Sequence, residues 1–244
     1  NVDLYGYGSS FEHTIAMKGA CLASDNTVHY VKGLACIHSY AQEVGVVLVD
    51  GGELHGEDLV LQSGHAVKSG GAVFARGNAL VDLWHSVLSK NDAQTGGGMY
   101  VTESSNVNLT NTTVRGNVAS VSGGGCFITS TSTIFTINST FSKNTATEGG
   151  HIQVTATSDL NAFSTKFEGA HASKKGGGIS VMTGGRSKTI MCAFEENFGT
   201  YGGAIFVDGC VAEVINCSFT GNSAGDLGYG GAMYAEKQGH FDVS

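Results

Sequence analysis

The residues able to do chemistry in this chain are few and scattered. Six cysteines stand at 21, 36, 126, 192, 210 and 217, with no Cys-x-x-Cys pair and no cysteine–histidine spacing suited to zinc. Cys192 and Cys217 each lie two residues before a phenylalanine, Phe194 and Phe219. If those phenylalanines hold equivalent places on neighbouring strands, the two sulfurs touch, as a disulfide or as paired free thiols. Cys21–Cys36 is a weaker candidate bridge, and Cys126 reads as a small apolar filler. Asn-x-Ser/Thr sequons occur at Asn108, Asn111, Asn138 and Asn216. They read as N-glycan acceptors if the source is a secreting eukaryote, and otherwise as outward polar residues.

Cleaving a glycan needs clustered carboxylates, or carboxylates beside Arg or Lys, on one outer face. Glu57-Asp58 and Glu195-Glu196 are adjacent in sequence, so a strand would point them to opposite faces. At the repeat spacing, Asp82 is followed by Asn108, Phe135, Asn161 and Lys188. Asp208 shares its place with Arg76, Thr102, Thr129, Thr155 and Met182, so neither set puts two acids on adjacent rungs. The nine histidines form no nucleophile–base pattern and read as surface or turn residues. The expectation is a chain without catalytic residues, metal ligands or cofactor. A net charge of −8 with only 13 Lys and Arg argues against a nucleic-acid partner, which needs phosphate neutralisation. No run approaches the ~18 apolar residues of a membrane span. The chain opens on Asn1 rather than Met and stops at Ser244 partway through a repeat, as a mature chain or a piece of a longer protein would.

The elements that must position these residues are set by a period. The first glycine of a double or triple glycine falls at 70, 96, 123, 149, 176, 202 and 230. In most repeats an aromatic or aliphatic residue three before Asn follows 17–18 positions later, as in Phe141-Ser142-Lys143-Asn144 and Phe219-Thr220-Gly221-Asn222. A period of 26–27 with β-branched residues and glycine turns indicates one rung of a parallel β-helix. The 5–8 residues between the Asn place and the next glycine vary in length and read as an exposed turn.

Two columns, Val73 to Met233 and Ala75 to Ala235, are apolar in every repeat and should line the core. Leu88, Val114, Phe141, Phe167, Phe194 and Phe219 should stack inside, and Asn91, Asn117, Asn144, Asn197 and Asn222 should form a side-chain ladder. One period upstream, Val46, Leu48, Leu61 and Gly64 fall in matching places. Phe74, Tyr100, Phe127, Phe206 and Tyr234 lie between the two core columns and should face outward as an aromatic stripe, a candidate interaction surface. The division expected is an N-terminal cap or degenerate coil over 1–42 and β-helix repeats over 43–244, with three short strands per coil.

The pairing of Gly202-Gly203-Ala204-Ile205 with Phe219-Thr220-Gly221-Asn222 resembles the repeat of the chlamydial polymorphic membrane protein family. Near matches are Gly230-Gly231-Ala232-Met233 and Gly70-Gly71-Ala72-Val73, although Ala170 replaces the Asn and Val114 the Phe. The resemblance implies a right-handed β-helical passenger exposed at a cell surface and acting in adhesion. The function expected is therefore a non-enzymatic extracellular rod that binds other surface or filament proteins, or a cell-surface ligand. The alternatives are a structural component of a filament or appendage, and a carbohydrate-active β-helix enzyme of the pectate-lyase type.

Overall fold

In a computed structural model, which describes residues 4–244 with side chains from residue 8 onward, the chain is a right-handed parallel β-helix. Each coil visits four parallel sheets in turn, here called A, B, C and D. The coil after the third glycine cluster shows the order. Cys126–Ile128 lies in D, Thr133–Ile137 in A, Thr140–Ser142 in B and Thr145–Glu148 in C. Sheet A has ten strands, so nine intervals of about 4.8 Å make a rod about 43 Å long.

Four strands per coil correct the three expected. The fourth is the stretch read as a variable turn, which forms sheet C. Its length varies without breaking the sheet because the register slips by a bulge, for example between Val118 and Ser122. Residues 4–42, expected as a cap or degenerate coil, already run through all four sheets and pair in register with the succeeding coil; residues 1–3 lie outside the described residues. The upstream extrapolation is off by one in sheet D. Val47 and Val49, not Val46 and Leu48, pair with Val73 and Ala75, because that interval is 26 residues.

The interior follows the columns. Val73, Met99, Cys126, Ile152, Ile179 and Ile205 are adjacent in one register and fully buried. Phe141, Phe167, Phe194 and Phe219 stack with ring centroids 5.3, 4.8 and 4.9 Å apart. Sheet C faces inward with alanines, among them Ala93, Ala119, Ala146 and Ala172, because the glycine corner folds directly beneath it. A Cβ on Gly177 would sit 2.2 Å from Gly203 O and 2.4 Å from Phe198 O, so only glycine lets the two backbones approach this closely.

The corners between sheets are held by side-chain ladders. Between B and C, Asn117 Oδ1 accepts from Asn91 N and Nδ2 while its Nδ2 donates to Leu88 O and Asn144 Oδ1. Between A and B, hydroxyls do the same work: Leu59 N donates to Ser86 Oγ, Ser86 N to Thr112 Oγ1 and Thr112 N to Ser139 Oγ. Between D and A, Ala79 N, Ser105 N and Ser132 N donate to Ser105, Ser132 and Ser158. A strand that turns leaves amides unpaired, and each ladder pairs them with the rung above.

Of the two readings of Cys192 and Cys217, the structure has the paired free thiols, and the bridge present is Cys21–Cys36. The reason lies in the A–B corner. Cys192 and Cys217 continue its hydroxyl column, with Cys192 N donating to Cys217 Sγ at 3.4 Å and the two thiols donating to Ala162 O and Thr189 O. Each sulfur thus points where a serine hydroxyl would. The hydrogen bond from Cys192 lowers the half-buried Cys217 thiol, while that same partner and burial raise Cys192. Cys217 should therefore react first with iodoacetamide at neutral pH, at least about tenfold faster than the fully buried Cys126. Peptide mapping checks this, and equal labelling of all four free thiols in folded protein would contradict it.

Candidate functional site: the outward face of sheet A

With the interior and corners committed to the stack, function must sit on outward faces, and the aromatic stripe is the first to test. Phe74, Tyr100, Phe127, Phe206 and Tyr234 do share one outward column of sheet D, with Phe74–Tyr100 and Tyr100–Phe127 centroids 5.1 and 5.3 Å apart. The column is not the open stripe expected. Phe74 and Phe206 are buried and the other three half-buried. The physical reason is the sharp C–D corner, which lays the ends of the sheet C strands over this column. Lys175 Nζ sits 4.6 Å above the Phe206 ring, and Glu148 bonds Gln153 in the same column.

Acids do meet on adjacent rungs, contrary to expectation. Asp25 pairs with Asp50, Asp208 with Glu236, and Glu168 with Glu195. All three pairs are met by cations. Arg76 bonds Asp50, Lys175 and Lys237 bridge Asp208 and Glu236, and Lys166 lies between Glu168 and Glu195. Glu57 and Asp58 also come together, with His85, their ligand atoms within 4.8 Å of one another. Strand alternation fails there because Asp58 has left the strand, at φ 57° in the corner. Lys32 offsets one of these two carboxylate charges, 2.7 Å from Glu57 and 3.9 Å from Asp58.

The sequons follow from the A–B corner. Asn111, Asn138 and Asn216 have φ of 49°, 48° and 50°, a left-handed conformation that Asn tolerates better than most residues. The next residue supplies the hydroxyl or thiol ladder and the one after begins sheet B, so Asn-x-Ser/Thr arises from corner chemistry. All three side chains are exposed, whereas Asn108 lies within sheet A and donates to Asp82 Oδ1 at 2.6 Å.

Asn108 belongs to an outward face that combines polar convergence with exposed aromatics; on sheet C, Tyr40 stacks on His65, which bonds Asp92, in a smaller version of the same arrangement. Tyr30, His55, Asp82, Asn108 and Phe135 follow one another across sheet A in one column. The next outward column reads Glu57, Trp84, Thr110, Ile137, Phe163, Ile190 and Ile215. His55 lies between two acids, Nδ1 2.9 Å from Asp82 and Nε2 2.9 Å from Glu53, and stacks on Tyr30 at 4.8 Å. Asp82 is only 8% exposed, whereas Trp84 and Phe135 are 38% and 39% exposed. Thr110 is smaller than Trp84 and Ile137 on either side of it, and Asn108 is smaller than Phe135. The result is a depression of about 490 Å³ floored by Asp82, Asn108 and Thr110 and walled by Trp84, Phe135 and Ile137. The next two places downstream of Asp82, Asn108 and Phe135, carry no histidine or second acid. One step upstream, at the same spacing, would have found His55.

The repeats thus build a right-handed β-helical solenoid, and the departures from the repeat shape this trough on its outward face. The chain belongs to the right handed beta helix region family, whose model matches residues 71–242. No curated protein and no solved structure matches it.

Proposed function

We propose that this protein is a non-enzymatic extracellular rod that adheres to a surface ligand or partner through the outward face of sheet A. The observation that carries this is the column from Trp84 to Ile215, apolar but for Thr110 and exposed at Trp84 and Ile137, beside the polar row His55–Asp82–Asn108. Monomeric proteins seldom leave such a contiguous apolar surface without a partner. The Cys21–Cys36 bridge supports an oxidising, extracellular location. The resemblance to the chlamydial polymorphic membrane proteins supports adhesion, and exposed Asn111, Asn138 and Asn216 would carry glycans in a secreting eukaryote.

Replacing both Trp84 and Ile137 with serine tests the reading. The variant should keep the melting profile of the parent, because both residues are exposed, and should lose most binding of the labelled rod to cultured cell surfaces. Unchanged binding by the folded variant would remove the face from consideration. A second reading, a carbohydrate-active enzyme, is favoured by one observation, the row Glu53–His55–Asp82. Release of reducing ends or unsaturated products from a polysaccharide, abolished by Asp82→Asn, would establish it in place of adhesion.

A further inference from the structure

The geometry points to a neutral saccharide ring as the ligand of the trough between Trp84 and Phe135. This deepens the binding-face reading and rests on it. The walls and floor differ in chemistry in the way a pyranose does. A sugar ring has one face of C–H groups and a rim of hydroxyls. Trp84, Phe135 and Ile137 offer apolar surface, while Asp82, Asn108 and Thr110 offer acceptors and donors beneath it.

The dimensions agree. The strands bearing Trp84 and Phe135 are two rungs apart, about 10 Å between backbones, with only the short side chains of Asn108 and Thr110 between. Once the thickness of the two walls is taken off, one ring fits. The floor is preorganised, because Asp82 is held by Asn108 at 2.6 Å and by His55 at 2.9 Å and so keeps a fixed acceptor at the base. An aliphatic peptide side chain would desolvate that floor without bonding to it, at a cost that favours a hydroxyl-bearing ligand.

Charge selects the neutral class. Glu53, Glu57, Asp58 and Asp82 cluster at this end of sheet A, no cation among the described residues lines the trough, and Lys32 is shared by Glu57 and Asp58. Arg186 and Lys188, farther along the same face, are paired with Asp159 and Glu213. With a net charge of −8, the site repels uronates and sialylated glycans.

The chain carries its own reporter, because Trp84 is its single tryptophan. Wild-type protein is titrated with cellohexaose, xylohexaose and mannohexaose, with oligogalacturonate as the acidic comparator, while Trp84 emission and binding heat are followed. At least one neutral oligosaccharide should shift the emission saturably, and oligogalacturonate should not. Phe135→Ser and Asp82→Asn, which leave the reporter in place, should each weaken binding by about tenfold. Saturable binding of oligogalacturonate in preference overturns the neutral class. No response to any saccharide overturns the saccharide assignment. If the Trp84/Ile137 double variant still loses cell binding in that event, the face survives with another ligand; if it does not, the face falls too.

Discussion

Asn117→Ala is expected to destabilise the rod by about 3–5 kcal/mol, a large share of the 5–15 kcal/mol that holds a typical domain. The side chain is fully buried and makes four hydrogen bonds within the B–C corner. Alanine leaves Asn91 N and Leu88 O buried without partners, each costing about 1–3 kcal/mol, and adds a void between rungs. Asn222, at the half-buried end of the same ladder, gives the comparison. Its bonds to Phe194 O and Asn197 can be replaced by water, so Asn222→Ala should cost well under half as much. Urea unfolding of both variants checks the difference, and equal losses would mean that the ladder is decoration rather than support.

The second large effect comes from the one interruption of that ladder. Ala170 stands where Asn is expected, between Asn144 and Asn197. On the glycine column beside it, where neighbouring coils carry Gly125 and Gly178, this coil carries His151. The imidazole is fully buried against Phe141 and Phe167, and its Nδ1 is 2.9 Å from Asn144 Nδ2. The two departures compensate, with the histidine filling the volume and taking the hydrogen bond left by the missing asparagine. Among the described residues Nε2 has no hydrogen-bond partner, and burial lowers the histidine to about 3. The Glu168 backbone and the Asn197 side chain favour its proton and offset burial only in part.

The sign follows from the two pKa values. Above pH 6.5 the histidine is neutral in both folded and unfolded chains. Below 6.5 the unfolded chain takes a proton that the folded chain refuses until about pH 3, so stability falls across that window. The slope is about 1.4 kcal/mol per pH unit from this group, or roughly 2 kcal/mol between pH 6.5 and 5. The double variant His151→Gly/Ala170→Asn restores the repeat and should lose that acid sensitivity. Each single variant should be less stable than either the parent or the double, with a coupling of about 1–3 kcal/mol. Additive single effects would separate the two positions, and an unchanged pH profile would clear His151 of the acid sensitivity.

Much of the fold was legible because the sequence repeats where the structure repeats. The Val73 and Ala75 columns, the phenylalanine stack and the asparagine ladder each need one residue type at one spacing, and each is found as read. Sheet C was missed because its signature is alanine and a bulge, which carry neither strong strand propensity nor a fixed length. The state of Cys192 and Cys217 stayed open in the sequence because spacing gives proximity but not the direction of a sulfur. Cys192 and Cys217 stand in for serine in a ladder visible only once the A–B corner is built. The covering of the aromatic stripe is not legible in the sequence, because alternation gives the face but not what folds over it. The sheet A trough was the least legible feature. Trp84, Phe135, Asp82 and His55 break the repeat, and a search for regularity passes over such residues.

The most direct test of the functional face is hydroxyl-radical footprinting of the labelled rod, free and bound to the cell surface that it adheres to. Trp84, Phe135 and Ile137 should be protected on binding, while Val118 and Val121, equally exposed on sheet C, remain as reactive as in the free protein. Protection of Val118 and Val121 with Trp84 unchanged would place the binding surface elsewhere and contradict the assignment.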